Sequence, residues 1–184
     1  YAIAAVNRPV HPNRILREAG YLAVKVDLDR EYLDPGRSRA FAVSGHQVAH
    51  VYIDDPRQLD AVRALFEATP GVGAVLGEQG KKAAGLDHER AGELVLLAED
   101  DSWFTYYFWL DDARAPDYAR TVDIHNKPGF DPCELFVDPG LRLPGLRAGW
   151  TLARKALGLR YTMELTPLDP SLVRGSHGLA RDTS

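Results

Sequence analysis

Phe41-Ala42-Val43-Ser44-Gly45-His46-Gln47-Val48-Ala49-His50-Val51-Tyr52-Ile53-Asp54-Asp55-Pro56 begins the stretch that decides the fold of this chain. Apolar arms on either side of Ser44-Gly45 predict a hairpin. In the second arm Val48, His50 and Tyr52 share one face and Ala49, Val51 and Ile53 the other. Asp54-Asp55-Pro56 then opens a helix, with Asp55 suited to the N-cap and Pro56 to the first helical position. Leu59, Val62, Leu65 and Phe66 recur at helical spacing as far as about Ala68. Pro70-Gly71 stops the helix, and residues 72–76 return as a strand. Strand, helix, strand in this order predicts a ferredoxin-like or other α/β element.

Working outward toward the N-terminus, the alternation over residues 21–28 predicts a half-buried strand. Leu22, Val24, Val26 and Leu28 form its inner face, and Asp34-Pro35-Gly36 turns the chain. His11-Pro12-Asn13 opens a short helix with Ile15, Leu16 and Ala19 inward and Gly20 as its stop. Residues 2–6 are expected to form a short buried strand. The chain begins on Tyr1-Ala2-Ile3 rather than methionine. That start reads as the end of a strand begun upstream, so a piece of a longer protein is expected.

Toward the C-terminus, residues 81–92 are polar and predict a loop. Leu94-Val95-Leu96-Leu97 is apolar on both faces, the pattern of a central strand. Trp103-Phe104-Thr105-Tyr106-Tyr107-Phe108-Trp109 holds six aromatics in seven residues. It reads either as core or as an aromatic wall, with Trp103 and Tyr106 facing a ligand. Residues 115–119 are expected to begin a short helix, and residues 134–137 a short strand or turn. Residues 146–157 predict a basic helix with Trp150 and Leu157 inward. Residues 160–165 are extended, and residues 179–184 are expected to fray.

Between these elements lies Val122-Asp123-Ile124-His125-Asn126-Lys127-Pro128-Gly129-Phe130-Asp131-Pro132. Two prolines fix φ and remove backbone donors, and Gly129 permits positive φ, so neither a helix nor a central strand is expected. It predicts a rigid loop that displays Asp123, His125, Lys127 and Asp131 as ligand contacts; the alternative is a solvated turn.

Composition narrows the function. A net charge of −4 gives no basic footprint for a nucleic acid polymer. No apolar run reaches membrane-spanning length, and no signal peptide is visible. The single cysteine, Cys133, excludes an internal disulfide and a cysteine-based zinc site, and it fits a reducing compartment such as the cytoplasm. The lipase-type serine elbow, the phosphate-binding P-loop and the His-Glu-x-x-His zinc helix are all absent. His177, flanked by Gly175-Ser176 and Gly178, is a candidate metal ligand, as is His46 at the hairpin tip. His50 reads as a sheet residue, and His11 and His88 as surface.

Residues 112–119 (Asp-Ala-Arg-Ala-Pro-Asp-Tyr-Ala), residues 124–132 and Gly175-Ser176-His177-Gly178 together resemble the type I phosphodiesterase/nucleotide pyrophosphatase family of the alkaline phosphatase superfamily. The resemblance is to the C-terminal part of that family. It implies an α/β fold with a mixed sheet flanked by helices, of which residues 1–184 would be a fragment lacking the N-terminal catalytic half. It also implies two divalent metal ions, usually zinc, and a Thr or Ser nucleophile acting on small-molecule phosphate esters. His177 corresponds to the family's last histidine ligand. The nucleophile and the first Asp and His ligands would lie upstream of Tyr1, which stands where the family has histidine. Relatives often carry Asp-His-Gln at the hairpin, and here Gly45-His46-Gln47 lacks the carboxylate.

Three functional expectations follow: a metal-dependent phosphoryl hydrolase seen in part, a non-catalytic member binding a phosphorylated or nucleotide-like ligand, or a subdomain that only completes a sheet. With so few donors, the isolated chain is expected to be inactive.

Overall fold

The computed structural model describes residues 3–178. The expectations for Tyr1, for Ala2 as part of the first strand and for the tail at 179–184 lie outside the described residues. In chain order the elements are β1 (Ala4–Ala5), β2 (Arg8–Val10), α1 (Pro12–Glu18), β3 (Val24–Asp27), β4 (Arg30–Leu33), β5 (Ala40–Gly45), β6 (Val48–Ile53), α2 (Leu59–Glu67), β7 (Val72–Leu76), α3 (Glu78–Ala83), β8 (Leu94–Ala98), β9 (Ser102–Phe104), α4 (Pro144–Ala156) and β10 (Gly175–Ser176).

The main sheet runs in the order β5-β6-β8-β7, with every neighbouring pair antiparallel. β6 and β7 therefore point the same way with β8 between them, which is a split strand-helix-strand unit carrying α2. β8 is central because Leu94, Val95 and Leu96 are apolar on both faces, and all three are fully buried. β6 alternates as expected, with Ala49, Val51 and Ile53 inside. α2 lays Val62 and Phe66 into the same core. It is preceded by a 3-10 turn, Pro56–Gln58, where the Asp55 side chain accepts from the Arg57 amide. Parallel pairing occurs in a separate ribbon, β2 with β9.

α1 begins at Pro12 and stops where Gly20 takes positive φ. Its Asn13 is buried and behaves as one more strand residue on the β5 edge. The Asn13 amide nitrogen donates to the Ala42 carbonyl (2.8 Å), and the Ala42 amide donates to the Asn13 amide oxygen (2.7 Å). An edge strand whose polar groups are answered in this way is closed to other strands.

Several expectations were wrong, each for a tertiary reason. β1 is only two residues long and lies against β10; Ile3 is exposed rather than buried. β3 is the first arm of a hairpin whose turn is Leu28-Asp29, both at positive φ, and Val26 and Leu28 face solvent. This hairpin is tied to the body by Glu31, buried and ion-paired with Arg17 of α1 and with Arg114. Residues 81–92 are not all loop, since α3 reaches Ala83 and Lys81 donates to the Gly92 carbonyl (2.7 Å). Residues 115–119 begin no helix; a 3-10 turn, Asp112–Arg114, precedes a simple turn at 117–120. Of the two readings of residues 134–137, the turn holds and the strand does not, since Pro132–Leu135 is a 3-10 turn. α4 forms, but Trp150 (65% exposed) and Leu157 (72%) point outward, and Thr151 is its buried residue.

The aromatic run is core. Residues 103–109 are all buried, and beyond β9 they are irregular. Tyr106, Tyr107, Phe108 and Trp109 contact one another, mostly edge to face. Trp103 joins Val6, Cys133 and Val173 in a second small cluster. His11 is not surface: Nδ1 sits 2.7 Å from the Thr105 hydroxyl and the ring stacks on Tyr107.

Candidate functional site

Gly45 pairs with Val48, which leaves His46-Gln47 as a two-residue turn between β5 and β6. His46 takes φ = 60° there, a region that side chains other than glycine seldom occupy. The turn is held by its neighbours. The Phe104 amide donates to the His46 carbonyl (2.7 Å), and the Ala98 amide donates to the Gln47 carbonyl (2.9 Å). Gln47 is buried, and its side-chain amide donates to the Ser102 carbonyl (3.1 Å) and the Asp100 carbonyl (3.3 Å). The Gln47 backbone amide donates to the carbonyl of His177 (3.1 Å). One turn thus ties together the end of β8, the aromatic run and the stretch after β10.

That link brings together two histidines remote in sequence. The ring centroids of His46 and His177 lie 3.8 Å apart, tilted by 37°. The Ser176 hydroxyl is 3.4 Å from His46 Nδ1, and Phe130 stacks on the His46 ring at 4.7 Å. Burial, followed by the charge of His177 in the protonated state, lowers the His46 pKa to about 4. At neutral pH His46 is a neutral imidazole, the form that donates to a metal or accepts a proton.

The 122–132 loop divides into two parts. Asp123 and His125 lie on its outer side; His125 is exposed, and Asp123 accepts from the Asn126 side-chain amide (2.6 Å). Lys127 and Asp131, expected on display, are buried. The Lys127 ammonium donates to Glu134 (2.7 Å), Asp131 (3.2 Å) and the Thr121 carbonyl (2.8 Å), and lies 5.4 Å above the Tyr106 ring. Burial raises the Asp131 carboxyl above its ordinary range, against the opposing pull of Lys127. Asp131 also accepts from the Cys133 amide (3.0 Å) and so starts the 3-10 turn. Two carboxylates around one ammonium, all out of solvent, form a structural anchor.

Trp103 and Tyr106 lie in the interior, with the Trp103 indole nitrogen and the Tyr106 hydroxyl both buried and unpaired. The sequence reading missed Phe130, Ser176 and Gln47. Phe130 was signalled by its place beside Gly129, an apolar ring in a stretch otherwise read as polar.

Among the described residues, no group of three or more His, Cys, Asp or Glu converges on one point. A catalytic zinc takes about three protein ligands and an open position. His46 and His177 offer two donors, so the described residues alone do not fit a complete zinc centre. No helix among them is long and apolar enough to cross a membrane.

The sequence profile described as Type I phosphodiesterase / nucleotide pyrophosphatase matches residues 1–131, and the chain belongs to that family. The match includes residues 112–119 and most of the 122–132 loop, and it ends before Gly175-Gly178. No curated protein matches the chain. Among solved structures, phosphonoacetate hydrolase from Sinorhizobium meliloti 1021 with phosphonoacetate is similar over 56% of this chain and 26% of its own, at 20% identity and TM-score 0.40. The same hydrolase with phosphonoformate is similar over 62% and 28%, at 19% identity and TM-score 0.43. The chain therefore spans about a quarter of the length of those structures.

Proposed function

We propose that this chain is the C-terminal portion of a metal-dependent phosphodiesterase/nucleotide pyrophosphatase-like hydrolase acting on small-molecule phosphate esters. The observation that carries the reading is the meeting of His46 and His177 at 3.8 Å. Neither side chain is needed to fill the core, since both are only half-buried, and the two form one patch on a chain that belongs to the family. They would supply two neutral imidazoles to a divalent ion, zinc by preference, whose remaining ligands and nucleophile come from elsewhere in the full protein. Asp123 and His125, on the outer side of the same loop as Phe130, would contact substrate.

The test uses the full-length protein, with bis(p-nitrophenyl) phosphate as substrate and zinc content measured by emission spectroscopy. Loss of a mere outer partner costs ~10–100-fold in metal affinity, so His46→Ala and His177→Ala should each cost ~100-fold or more in kcat/KM, with zinc lost in parallel. Unchanged turnover and zinc in both variants would remove the pair from the site. Binding of phosphate or a nucleotide by the wild type with no turnover would favour the non-catalytic reading, to which the missing carboxylate at Gly45 already points.

A further inference from the structure

We infer that Phe130 and Lys127 are positioning residues for the histidine pair: the buried Lys127 anchor fixes the loop on β5 so that the Phe130 ring holds the His46 imidazole against His177. This rests on the proposed reading of the pair.

Phe130 is 39% exposed, yet the residues on both sides of it are pinned. On one side Gly129 bridges to Ser44 of β5 at φ = 127°. A Cβ added at Gly129 would lie 2.2 Å from the Ser44 carbonyl oxygen, so no other residue permits this approach. On the other side Asp131 is clamped between Lys127 and the Cys133 amide. The Phe130 amide itself donates to the Ser44 carbonyl (2.8 Å). Ser44 lies near the end of β5, two residues before His46 in the turn that follows, so the anchor is tied to the frame that carries the imidazole.

A half-exposed phenyl ring costs hydrophobic free energy that turning inward would recover. Its ring partner is His46, stacked at 4.7 Å and 29°. His46 sits on a two-residue turn and is free to rotate about χ1 unless something fixes its ring. Phe130 stacks on that ring, His177 lies against it, and the Ser176 hydroxyl is 3.4 Å from its Nδ1. Displacement of a positioned group by about 1 Å can cost roughly a hundredfold in rate.

The experiment uses the full-length protein with Phe130→Ala, Phe130→Tyr and Gly129→Ala. Three quantities are read: nuclear Overhauser contacts between the His46 and His177 rings, the unfolding midpoint, and kcat and KM for bis(p-nitrophenyl) phosphate. Phe130→Ala should keep the midpoint, weaken the ring contact and lower kcat about ten- to hundredfold with KM little changed. Phe130→Tyr should restore ring contact and kcat together. Gly129→Ala should reproduce the Phe130→Ala defect and also lower the midpoint. Intact ring contact and unchanged kcat in Phe130→Ala would overturn the inference. If the wild type turns over no ester, the hydrolase reading fails, and the ring contact in Phe130→Ala alone decides the positioning.

Discussion

At the scale of single residues, burial separates side chains that the sequence presents alike. Lys127 and His125 stand two positions apart in one polar loop, and only the lysine is inside. Its removal would leave the buried Asp131 and Glu134 without their cation. Lys127→Met should therefore destabilise the protein by about 3–5 kcal/mol, read as a lower urea midpoint with unchanged slope. His11 makes a second case. Burial and the nearby Arg14 charge lower its pKa to about 4 from the ordinary 6.5. The unfolded chain then binds the proton more readily than the folded one, so this stability is complete above about pH 6.5 and is lost as pH falls toward about 4. Urea midpoints measured from pH 7 to pH 4 should fall, and the fall should be smaller in His11→Gln. A fall of the same size in both would assign the loss elsewhere.

At the scale of elements, patterns were legible where one face met one core. The hairpin of β5 and β6, the helix α2 and the central strand β8 all read directly from period and punctuation, since their apolar residues do face inward; the Asp55 cap belongs to the 3-10 turn before α2, whose own N-cap, Gln58, makes no side-chain bond. α4 shows the limit of that inference: its periodicity predicted a helix correctly, but its apolar residues face out, with Leu146 exposed beside Trp150 and Leu157. Periodicity names a stripe, not what covers it. Trp150→Glu should therefore change the stability of the 184-residue chain by no more than about 0.5 kcal/mol, as expected of an exposed position; a large loss by urea titration would mean that α4 packs with its tryptophan inward. The loop at 127–131 behaves in the opposite way. Gly129→Val should lower the melting temperature sharply, since its Cβ would meet the Ser44 backbone at 2.2 Å, whereas Pro128→Ala only loosens a half-exposed turn.

At the scale of the whole molecule, two histidines do not amount to a catalyst. The isolated 184-residue chain is predicted to hydrolyse no bis(p-nitrophenyl) phosphate, because a catalytic zinc needs about three protein ligands. Turnover by the purified chain, abolished by a chelator and restored by zinc, would contradict this.

The sequence by itself determined the mixed α/β class, the hairpin and α2, and the family, because those depend on local period, capping and motif residues carried along the chain. It also singled out His46 and His177, through the glycines beside them. Only the tertiary structure decided that the two rings touch, that Phe130 stacks on one of them, and that Lys127, Asp131, Trp103 and Tyr106 are interior. Local patterns record which residues are polar or apolar; which of them lose water depends on long-range contacts, such as Gln47 with His177 and Gly129 with Ser44, that no short window of sequence contains.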